Sequence, residues 1–491
     1  MHSGTASSGQ TKDIVRLPRL VISSTSGGGG KTLLSLGLAR TLSRLGHAVL
    51  PLKKGPDYID AAWLAAAAGH PASNLDPFFL DGDGLRSQLA HAFRTLLTGE
   101  EQQRAVAVIE GNRGLFDGLD VSGSCSTAAL ARELRAPILL TLNVTKMTRT
   151  VAALLQGLAG FEKGLSFAGV VLNRTGSARH AAYLRKSIEA YTDFSVLGEL
   201  PRLTENLLPE RHMGIASFRG DGLSETAEET LDRLAAFVSS HVDVGTIMER
   251  AAQAPSLSAA PFWRAPAHEP DVRPTIGYVR DACLWFYYRE NLEALERAGA
   301  RLVRLSLFDA EPWRFDGGDG LDGVYLGGGF PEDFLESLTD SPRLRELAGQ
   351  ARRGLPVYAE CGGLMVLSRS ITKDGRRWPM AGVLPVDIEF GGRPRGLGYV
   401  RGQTCRRTPF YPEDLIIPGH EFHYSHAVPG SMDNDAAALR LSRGMGLNDG
   451  LDAVTAGNAW GSYTHIFAPA LPCWAVSFCS LAARWRADRG E

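Results

Sequence analysis

The segment SSTSGGGGKT, residues 23–32, combines the residue types that bind the phosphate groups of a nucleotide. Glycines such as Gly28 and Gly30 let successive backbone N–H groups curl around phosphate oxygens. In such a loop Lys31 reaches the β- and γ-phosphates, and the Thr32 hydroxyl binds Mg²⁺. Threonine replaces the first glycine of the pattern G-x-x-x-x-G-K-S/T, so the segment is a variant phosphate loop. A glycine-rich turn with a chance GKT is the alternative.

Acidic residues that could bind the metal ion follow other apolar runs. Asp57 and Asp60 lie in KKGPDYID, and Glu110 directly follows AVAVI. In a parallel sheet these strand ends open on the same edge as the phosphate loop. Lys53 could neutralise a substrate carboxylate or the transferring phosphate, and Asn173 could recognise a base edge. The alternatives are a solvated carboxylate for Glu110, a surface lysine for Lys53 and a structural turn residue for Asn173.

The second half of the chain places a thiol on a sharp turn. Cys361 stands between an apolar strand and a helix in PVYAECGGLMVLS, where the helix N-terminus favours the thiolate. A thiol nucleophile needs a base, and spacing alone does not choose among the histidines downstream. These histidines are His420, His423, His426 and His465. Gly328 and Gly329, in GVYLGGGFPE, could supply N–H groups to an oxyanion hole. A buried structural cysteine is the alternative.

These residues require a scaffold of strands and helices. In the first half of the chain, apolar runs typical of strands alternate with segments of helical periodicity. The strand-like runs are RLVISS, HAVLPLK, AVAVIEG, APILLTLNV and FAGVVLNR. A second series begins near residue 275 and contains TIGYVRD, RLVRLSL, GVYLGGG and PVYAECGG. This alternation predicts an α/β protein built from βαβ units with parallel sheets.

The composition changes between the two series. The stretch AAQAPSLSAAPFWRAPAHEPDVRP is rich in Ala and Pro and has no periodicity, which is typical of a linker. We therefore predict a phosphate-loop domain over residues 1–248, a linker over 249–273 and a second α/β domain over 274–491.

Composition narrows the class of protein further. The 491 residues carry 52 Lys and Arg against 54 Asp and Glu, and this balance gives no reason to expect nucleic-acid binding. With 44% hydrophobic and 22% charged residues, global disorder is excluded. The six cysteines show no CxxC pair, so we expect reduced thiols. Neither a secretory leader nor a membrane span is expected, and we predict a cytoplasmic protein.

Taken together, SGGGGKT, KKGPDYID, EGNRGLFDG, GVVLNR, GGGFPE, ECGGLMVLS, GHEFHYS and GSYTHIF resemble the cobyrinic acid a,c-diamide synthase family. The resemblance extends from about residue 18 to about residue 485. It implies a dethiobiotin-synthetase-like domain fused to a class I glutamine amidotransferase domain. The implied activity is amidation of the a and c carboxylates of cobyrinic acid, or a close tetrapyrrole relative, in cobalamin biosynthesis. ATP, Mg²⁺ and L-glutamine are implied, and a homodimer is left open.

The resemblance also assigns roles in the first domain. Lys31 and Thr32 are similar to the phosphate and Mg²⁺ contacts of the family, and Gly28, Gly30 and Asn173 lie in its nucleotide-binding motifs. The further residues implied are the metal and catalytic carboxylates Asp57 and Glu110, and Lys53 and Asp60 toward substrate or phosphate.

In the second domain, the resemblance makes Cys361 the nucleophile and His465 its base. Most class I amidotransferases carry Glu two residues after that histidine, where this chain has Phe467. A Cys–His pair is therefore expected, with another group, such as a water or a backbone carbonyl, orienting His465. The residues expected to line a corrinoid pocket between the domains are Asp281, Tyr287, Tyr288, Glu421 and His423.

Other functions remain open at this point. A cobyric acid synthase or a nickel-sirohydrochlorin a,c-diamide synthase would share the chemistry, although GPDYID and GHEFHYS favour the a,c type. A ParA/MinD-type ATPase switch would explain the phosphate loop and not the ECGG turn. CTP synthase also joins the two functions, but KGPDYID does not suit it.

Overall fold

The computed structural model describes residues 12–203, 218–219, 222–223, 225–263 and 273–490. The chain divides into two compact units. The first comprises Met1–Ser217 and Leu223–Arg264, and the second comprises Phe218–Gly222 and Ala265–Glu491. The division after residue 264 falls within the segment expected as a linker, and the predicted domain limits at 248 and 274 stay predictions.

The first unit alternates strands and helices along the chain. Its elements are β1 Asp13–Val15, β2 Arg19–Ser24, α1 Lys31–Arg44, β3 Ala48–Lys54, α2 Tyr58–Ala68, β4 Ser73–Leu75, α3 Gly82–Leu96, α4 Gly99–Gln103, β5 Ala105–Glu110, α5 Thr127–Glu133, β6 Ile138–Asn143, α6 Thr150–Phe161, β7 Phe167–Thr175, α7 Ala178–Tyr191 and β8 Val196–Pro201. Next along the chain are the short strands β9 Phe218–Arg219, which belongs to the second unit, and β10 Gly222–Leu223, at the division between the units. The first unit then continues with α8 Glu225–His241, α9 Val244–Ala252 and β11 Leu257–Ala259.

A parallel sheet forms the centre of the first unit. Its strand order in the described residues is β4-β3-β5-β2-β6-β7-β8, and all of these pairings are parallel. Every residue of β2, β3 and β5 is buried, because a parallel sheet is covered on both faces. This burial explains why the centres of these strands read as apolar runs, and the predicted α/β fold with its parallel sheet is confirmed.

The segment predicted as a linker contains regular structure. Helix α9 ends inside it, and β11 pairs antiparallel with β1. The predicted linker over 249–273 thus contains regular structure at its start, and its limits stay a prediction. A three-residue strand is too short to leave a periodic signal in the sequence. Residues 264–272 of the same segment lie outside the described residues.

The second unit contains more strands than its sequence predicted. Its elements are β12 Thr275–Val279, β13 Leu284–Phe286, α10 Arg289–Arg297, β14 Arg301–Leu305, β15 Gly323–Leu326, β16 Gly328–Gly329, α11 Leu335–Asp340, α12 Pro342–Arg353, β17 Val357–Glu360, α13 Gly362–Leu367, β18 Ser370–Lys373, β19 Arg376–Pro379, β20 Asp387–Phe390, β21 Gly396–Thr404, β22 Ile416–His423, β23 Ser425–Ala427, β24 Leu439–Arg443, β25 Leu451–Asp452, β26 Val454–Ala456, β27 Ala459–Ser462, β28 His465–Ile466 and α14 Cys473–Asp488. Short 3-10 helices span Pro331–Asp333, Asn434–Ala436 and Ala468–Ala470.

Three of the sheets in the second unit contain four or more strands. The core sheet has the order β14-β12-β15-β17-β27-β26, parallel except for the β26–β27 pair. An antiparallel sheet with the order β25-β24-β21-β22-β28 brings β28 beside β22, so that His465 pairs with His420. Strands β19, β18, β20 and β23 form a mixed sheet. Within the ranges described above, no helix is both long and apolar enough to cross a bilayer.

Candidate functional site

The phosphate loop connects β2 to α1. Gly28 and Gly30 adopt positive φ angles of 72° and 101°, which side chains other than glycine rarely adopt. At Gly30 space is also lacking, because an added Cβ would lie 2.1 Å from Asn173 Nδ2. Lys31 opens the helix, so its first backbone N–H groups face the loop, as anion binding requires.

Two backbone carbonyls hold the Lys31 ammonium. Its Nζ donates to Ser26 O at 3.0 Å and to Arg113 O at 2.6 Å. The side chain is buried, and burial lowers its pKa from the ordinary value. A cation held by neutral carbonyls keeps its full charge for an anion, which is what a phosphate-binding lysine needs.

Lys53 lies at the centre of a charged cluster at the ends of β3 and β5. Its side chain is 2% exposed, and Nζ lies 2.5 Å from Asp60 Oδ2 and 2.9 Å from Glu110 Oε1. Glu110 Oε1 also accepts a hydrogen bond from Thr32 Oγ1 at 2.8 Å. Burial acts to lower the pKa of Lys53, but the charges of Asp60, Glu110 and Asp57 raise it overall. The structure thus brings together the strand-end residues that the sequence placed on one edge.

One carboxylate oxygen of Glu110 is available to bind a ligand. The residue is buried, and its Oε2 has no hydrogen-bond partner in the structure. No group of three or more His, Cys, Asp or Glu side chains in the described part of the chain is arranged to hold a metal by itself. A hydroxyl, a spare carboxylate oxygen and nearby phosphate oxygens nevertheless fit Mg²⁺, which binds few protein ligands together with substrate phosphates.

Asp57 is the N-cap residue of α2 and lies beside the charged cluster. Its Oδ1 accepts a hydrogen bond from Asp60 N at 2.9 Å and so caps the helix. Burial and the neighbouring Asp60 charge raise the pKa of Asp57 to about 7. Without bound nucleotide, this carboxyl therefore binds a proton at a higher pH than an ordinary aspartate does.

We expect Asp57→Asn to raise the melting temperature of the nucleotide-free protein, and to raise it more at higher pH. The folded pKa lies above the unfolded value of 3.8, so this carboxyl stabilises the fold in acid and loses that contribution as pH rises through 7. Asn keeps the helix cap without the charge. The melting temperature of the variant should exceed that of wild type by a few degrees at pH 7.5 (about 2–4 °C per kcal/mol) and by less at pH 5.

The control for this measurement is Asp243→Asn. Asp243 caps α9 by accepting from Thr246 N, and its hydrogen bonds lower its pKa. Its substitution should give the same difference from wild type at pH 5 and pH 7.5. If the difference in melting temperature between Asp57→Asn and wild type does not grow with pH, the raised pKa of Asp57 is contradicted.

Asn173, at the end of β7, supports the phosphate loop. Its Nδ2 donates to Gly29 O at 3.1 Å, and the residue is buried. The amide that the sequence suggested for base recognition is thus bound to the loop backbone in this structure. A contact with the nucleotide base stays a prediction.

The thiol site of the second unit begins at the turn after β17. Cys361 has φ 49° and ψ −104°, a strained conformation for a residue with a side chain. Its N–H donates to Ser462 O at 2.7 Å, and its Sγ lies 3.6 Å from Phe422 O. Burial raises the pKa of the thiol well above its ordinary value, and the Glu332 charge adds to the effect. A neutral thiol at rest needs a base to become a nucleophile.

Two glycine turns, one of which directly follows Cys361 in the chain, pack together with one histidine. Gly363 N donates to Gly327 O at 3.0 Å, and a Cβ on Gly362 would lie 2.9 Å from Gly329 N. A Cβ on Gly328 would lie 2.4 Å from Cε1 of His465 and 3.2 Å from its Nε2. The Gly362–Gly363 turn that follows Cys361, the Gly328–Gly329 turn and the His465 ring are therefore neighbours.

A carboxylate lies at the other edge of the His465 ring. Glu360 Oε2 is 3.3 Å from His465 Nδ1. The sequence left open which group orients His465, with a water or a backbone carbonyl as examples, and in the structure the group beside Nδ1 is this carboxylate. Sequence reasoning missed Glu360, although it directly precedes Cys361 in ECGG.

The other candidate histidines have different surroundings. His420 stacks on His465 with ring centroids 4.8 Å apart, and burial lowers its pKa well below the ordinary value. His423 Nδ1 donates to Ser425 O at 2.7 Å. His426 Nε2 lies 3.7 Å from Glu389 Oε2.

The residues expected to contact a corrinoid make hydrogen bonds inside the second unit. They are Asp281, Tyr287, Tyr288, Glu421 and His423. Asp281 Oδ1, for example, accepts from Cys283 N and Leu284 N at 2.9 Å. Both oxygens of Glu421 accept backbone N–H groups, from Met445 at 2.8 Å and Gly446 at 2.9 Å. These contacts give each side chain a structural role, and binding to a corrinoid stays a prediction.

Fold and sites define a class of protein in which a nucleotide-binding domain is joined to a glutamine amidotransferase domain. Residues 20–215 match the CobQ/CobB/MinD/ParA nucleotide binding domain, and residues 275–470 match the CobB/CobQ-like glutamine amidotransferase domain. The chain belongs to the cobyrinate a,c-diamide synthase family, as relatives matching most of its length show.

Relatives from several organisms carry the name cobyrinate a,c-diamide synthase. The protein from Magnetococcus marinus is 38% identical over 482 residues, which cover 97% of this chain and 98% of the relative. The protein from Archaeoglobus fulgidus is 37% identical, with 92% and 94% covered. The protein from Syntrophotalea carbinolica is 39% identical, with 84% and 86% covered. The resemblance inferred from the motifs is thereby confirmed.

Proposed function

We propose that the protein amidates the a and c acetate carboxylates of cobyrinic acid in cobalamin biosynthesis, using ATP and glutamine. The observation that carries this proposal is the presence of two complementary sites in one chain of this family. A phosphate loop with a buried lysine–carboxylate cluster can activate an acid, and a thiol–imidazole site can release ammonia. A ParA/MinD-type switch would need the first site and not the second.

In the first unit, the difficulty is that a carboxylate does not react with ammonia. Attack of a substrate carboxylate oxygen on the γ-phosphorus of ATP would give an acyl phosphate and ADP, and ammonia would then displace phosphate to form the amide. Lys31 would neutralise the phosphate oxygens, and Lys53 would place a second fixed cation beside the reacting carboxylate.

Magnesium completes this site by neutralising phosphate charge when bound, and Thr32, Asp57 and Glu110 are the residues that would hold it. Asp57 would bind in its ionised form, which the nearby Mg²⁺ charge favours despite its raised pKa. Asp60 would keep Lys53 charged and oriented through its 2.5 Å ion pair.

In the second unit, glutamine would acylate Cys361. As Sγ attacks the side-chain amide carbon, His465 takes the thiol proton and passes it to the departing nitrogen, so that ammonia leaves and a thioester remains. Water then attacks the thioester, His465 moves its proton to sulfur, and glutamate leaves. Backbone N–H groups at Gly328 and Gly329 would stabilise the oxyanion in both steps.

The test is a substrate panel analysed by mass spectrometry. The protein is incubated with ATP, Mg²⁺ and glutamine, together with cobyrinic acid, its a,c-diamide or nickel-sirohydrochlorin. We expect cobyrinic acid to lose about 1 Da in each of two steps as OH becomes NH₂, with glutamate and ADP formed in parallel. ATP hydrolysis without nitrogen transfer to any of the three acids would contradict the proposal. Preferential amidation of another member of the panel would reassign the substrate.

A further inference from the structure

We propose that Glu360 is a positioning residue that fixes His465 as the base of the glutaminase site, an inference that rests on the proposed function. Glu360 is the last residue of β17 and directly precedes the nucleophile Cys361. The carboxylate would thus replace the acid that most class I amidotransferases carry two residues after the histidine, where this chain has Phe467.

The hydrogen bonds of Glu360 fix its carboxylate from several directions. Oε2 lies 3.3 Å from His465 Nδ1 and accepts from Tyr325 OH at 3.1 Å, while Oε1 accepts from Ile466 N at 3.2 Å. Glu360 and His465 are each 1% exposed, so water does not compete for these contacts. The carboxylate therefore holds both the imidazole and the backbone that carries it.

The orientation of the His465 ring leaves Nε2 available to act as the base, because Nδ1 is the nitrogen next to Glu360. Nδ1 faces Glu360, and the neighbouring ring edge formed by Cε1 and Nε2 faces Gly328, where a Cβ would lie 2.4 and 3.2 Å from these atoms. A carboxylate accepts hydrogen bonds, so it selects the tautomer with the proton on Nδ1. Nε2 then keeps its lone pair on the side of the glycine turn that packs against Gly362.

Asn291 supports this arrangement from the other side. Its Nδ2 donates to Ile466 O at 2.9 Å and approaches Tyr325 OH at 3.3 Å, and its Oδ1 accepts from Ala468 N at 2.7 Å. The amide thus holds the segment on both sides of Phe467 and the tyrosine that contacts Glu360. Such outer contacts are what keep a catalytic base within a narrow range of positions.

The charges are consistent with this role. Burial first, and then nearby carboxylates including Glu360, raise the pKa of the Cys361 thiol. A lone thiolate is therefore disfavoured, and the proton leaves as sulfur attacks. The imidazolium formed at that moment lies beside Glu360, whose charge stabilises it.

Glu360→Gln tests the proposal, because glutamine keeps the shape and can still accept from Ile466 N. Its amide NH₂ would face Nδ1 and favour the wrong tautomer. We expect kcat for glutamine hydrolysis to fall by about 10²-fold or more, and the acid limb of kcat/KM to move to lower pH. Ammonia-dependent amidation should not change. An unchanged kcat, or a lower kcat with the acid limb in place, would overturn the proposal.

Asp452→Asn is the matched control. Asp452 is a buried carboxylate that accepts at 3.0 Å from the N–H groups of Tyr463 and Thr464, the two residues before His465. Its loss should lower the melting temperature without moving the acid limb. If the wild-type protein releases no glutamate from glutamine, the proposed function itself is refuted, whatever the result for Glu360→Gln.

A second measurement needs no variant at Glu360. Nitrogen-15 NMR of histidine-labelled wild-type protein, assigned with His465→Gln, reports which ring nitrogen carries the proton. We expect the neutral His465 ring to be protonated at Nδ1. The tautomer protonated at Nε2 would contradict the proposal even if Glu360→Gln does not fold.

Discussion

Cys361→Ala is expected to abolish glutamine-dependent amidation while ammonia-dependent amidation continues. The methyl group cannot form the thioester, and nothing in the proposed mechanism of the first unit uses this thiol. Glutamine-supported turnover should fall by at least about 10³-fold, the scale seen when a covalent nucleophile is removed. Parallel assays with glutamine or with an ammonium salt at alkaline pH, read by amide formation, measure the two activities.

Cys405→Ala is the control for that experiment, because Cys405 is an exposed free thiol. It should leave both activities at wild-type levels. If Cys361→Ala still amidates with glutamine, Cys361 is not the nucleophile. If it loses the ammonia-dependent reaction as well, the two half-reactions are not separable in the way proposed.

Lys31→Ala is expected to stop amidation from either nitrogen source. Both reactions share the acyl phosphate, and the variant lacks the ammonium that neutralises charge on the phosphate oxygens. Removal of one such preorganised charge corresponds to a loss of about 10²–10³-fold or more in kcat. Formation of ADP and of the amide, measured with glutamine and then with ammonia, tests this directly.

Lys12→Ala provides the comparison, because Lys12 is a half-exposed lysine of the same unit in an ion pair with Asp83. Surface ion pairs contribute little, so activity should be retained. Substantial ATP-dependent amidation by Lys31→Ala would refute the phosphate-loop assignment.

The parallel sheet of the first unit could be predicted from sequence because its strands are buried on both faces. Strands β2, β3 and β5 therefore appear as continuous apolar runs, each bounded by a glycine turn or a charged residue. The antiparallel sheet of the second unit could not be predicted in this way. In β21 and β24 buried and exposed residues mix, and small or charged side chains weaken the alternation expected of strands.

The contacts of the candidate sites also differ in whether the sequence could predict them. Lys53 and Glu110 end neighbouring strands and pair in register, so the rule that parallel strands open on one edge was enough to place them together. Glu360 and His465 lie 105 residues apart, and they meet through the pairing of β17 with β27 and of β22 with β28. No local pattern encodes a contact that depends on two sheets.

The burial of Cys361 has a consequence for its chemistry between turnovers. Peroxides oxidise thiolates far faster than thiols, and the first product is a sulfenic acid. A side chain that is 3% exposed and has a raised pKa presents almost no thiolate to such reagents. We therefore expect peroxides to oxidise the Cys361 thiol slowly between turnovers, even though the proposed mechanism requires it to react with an amide carbon.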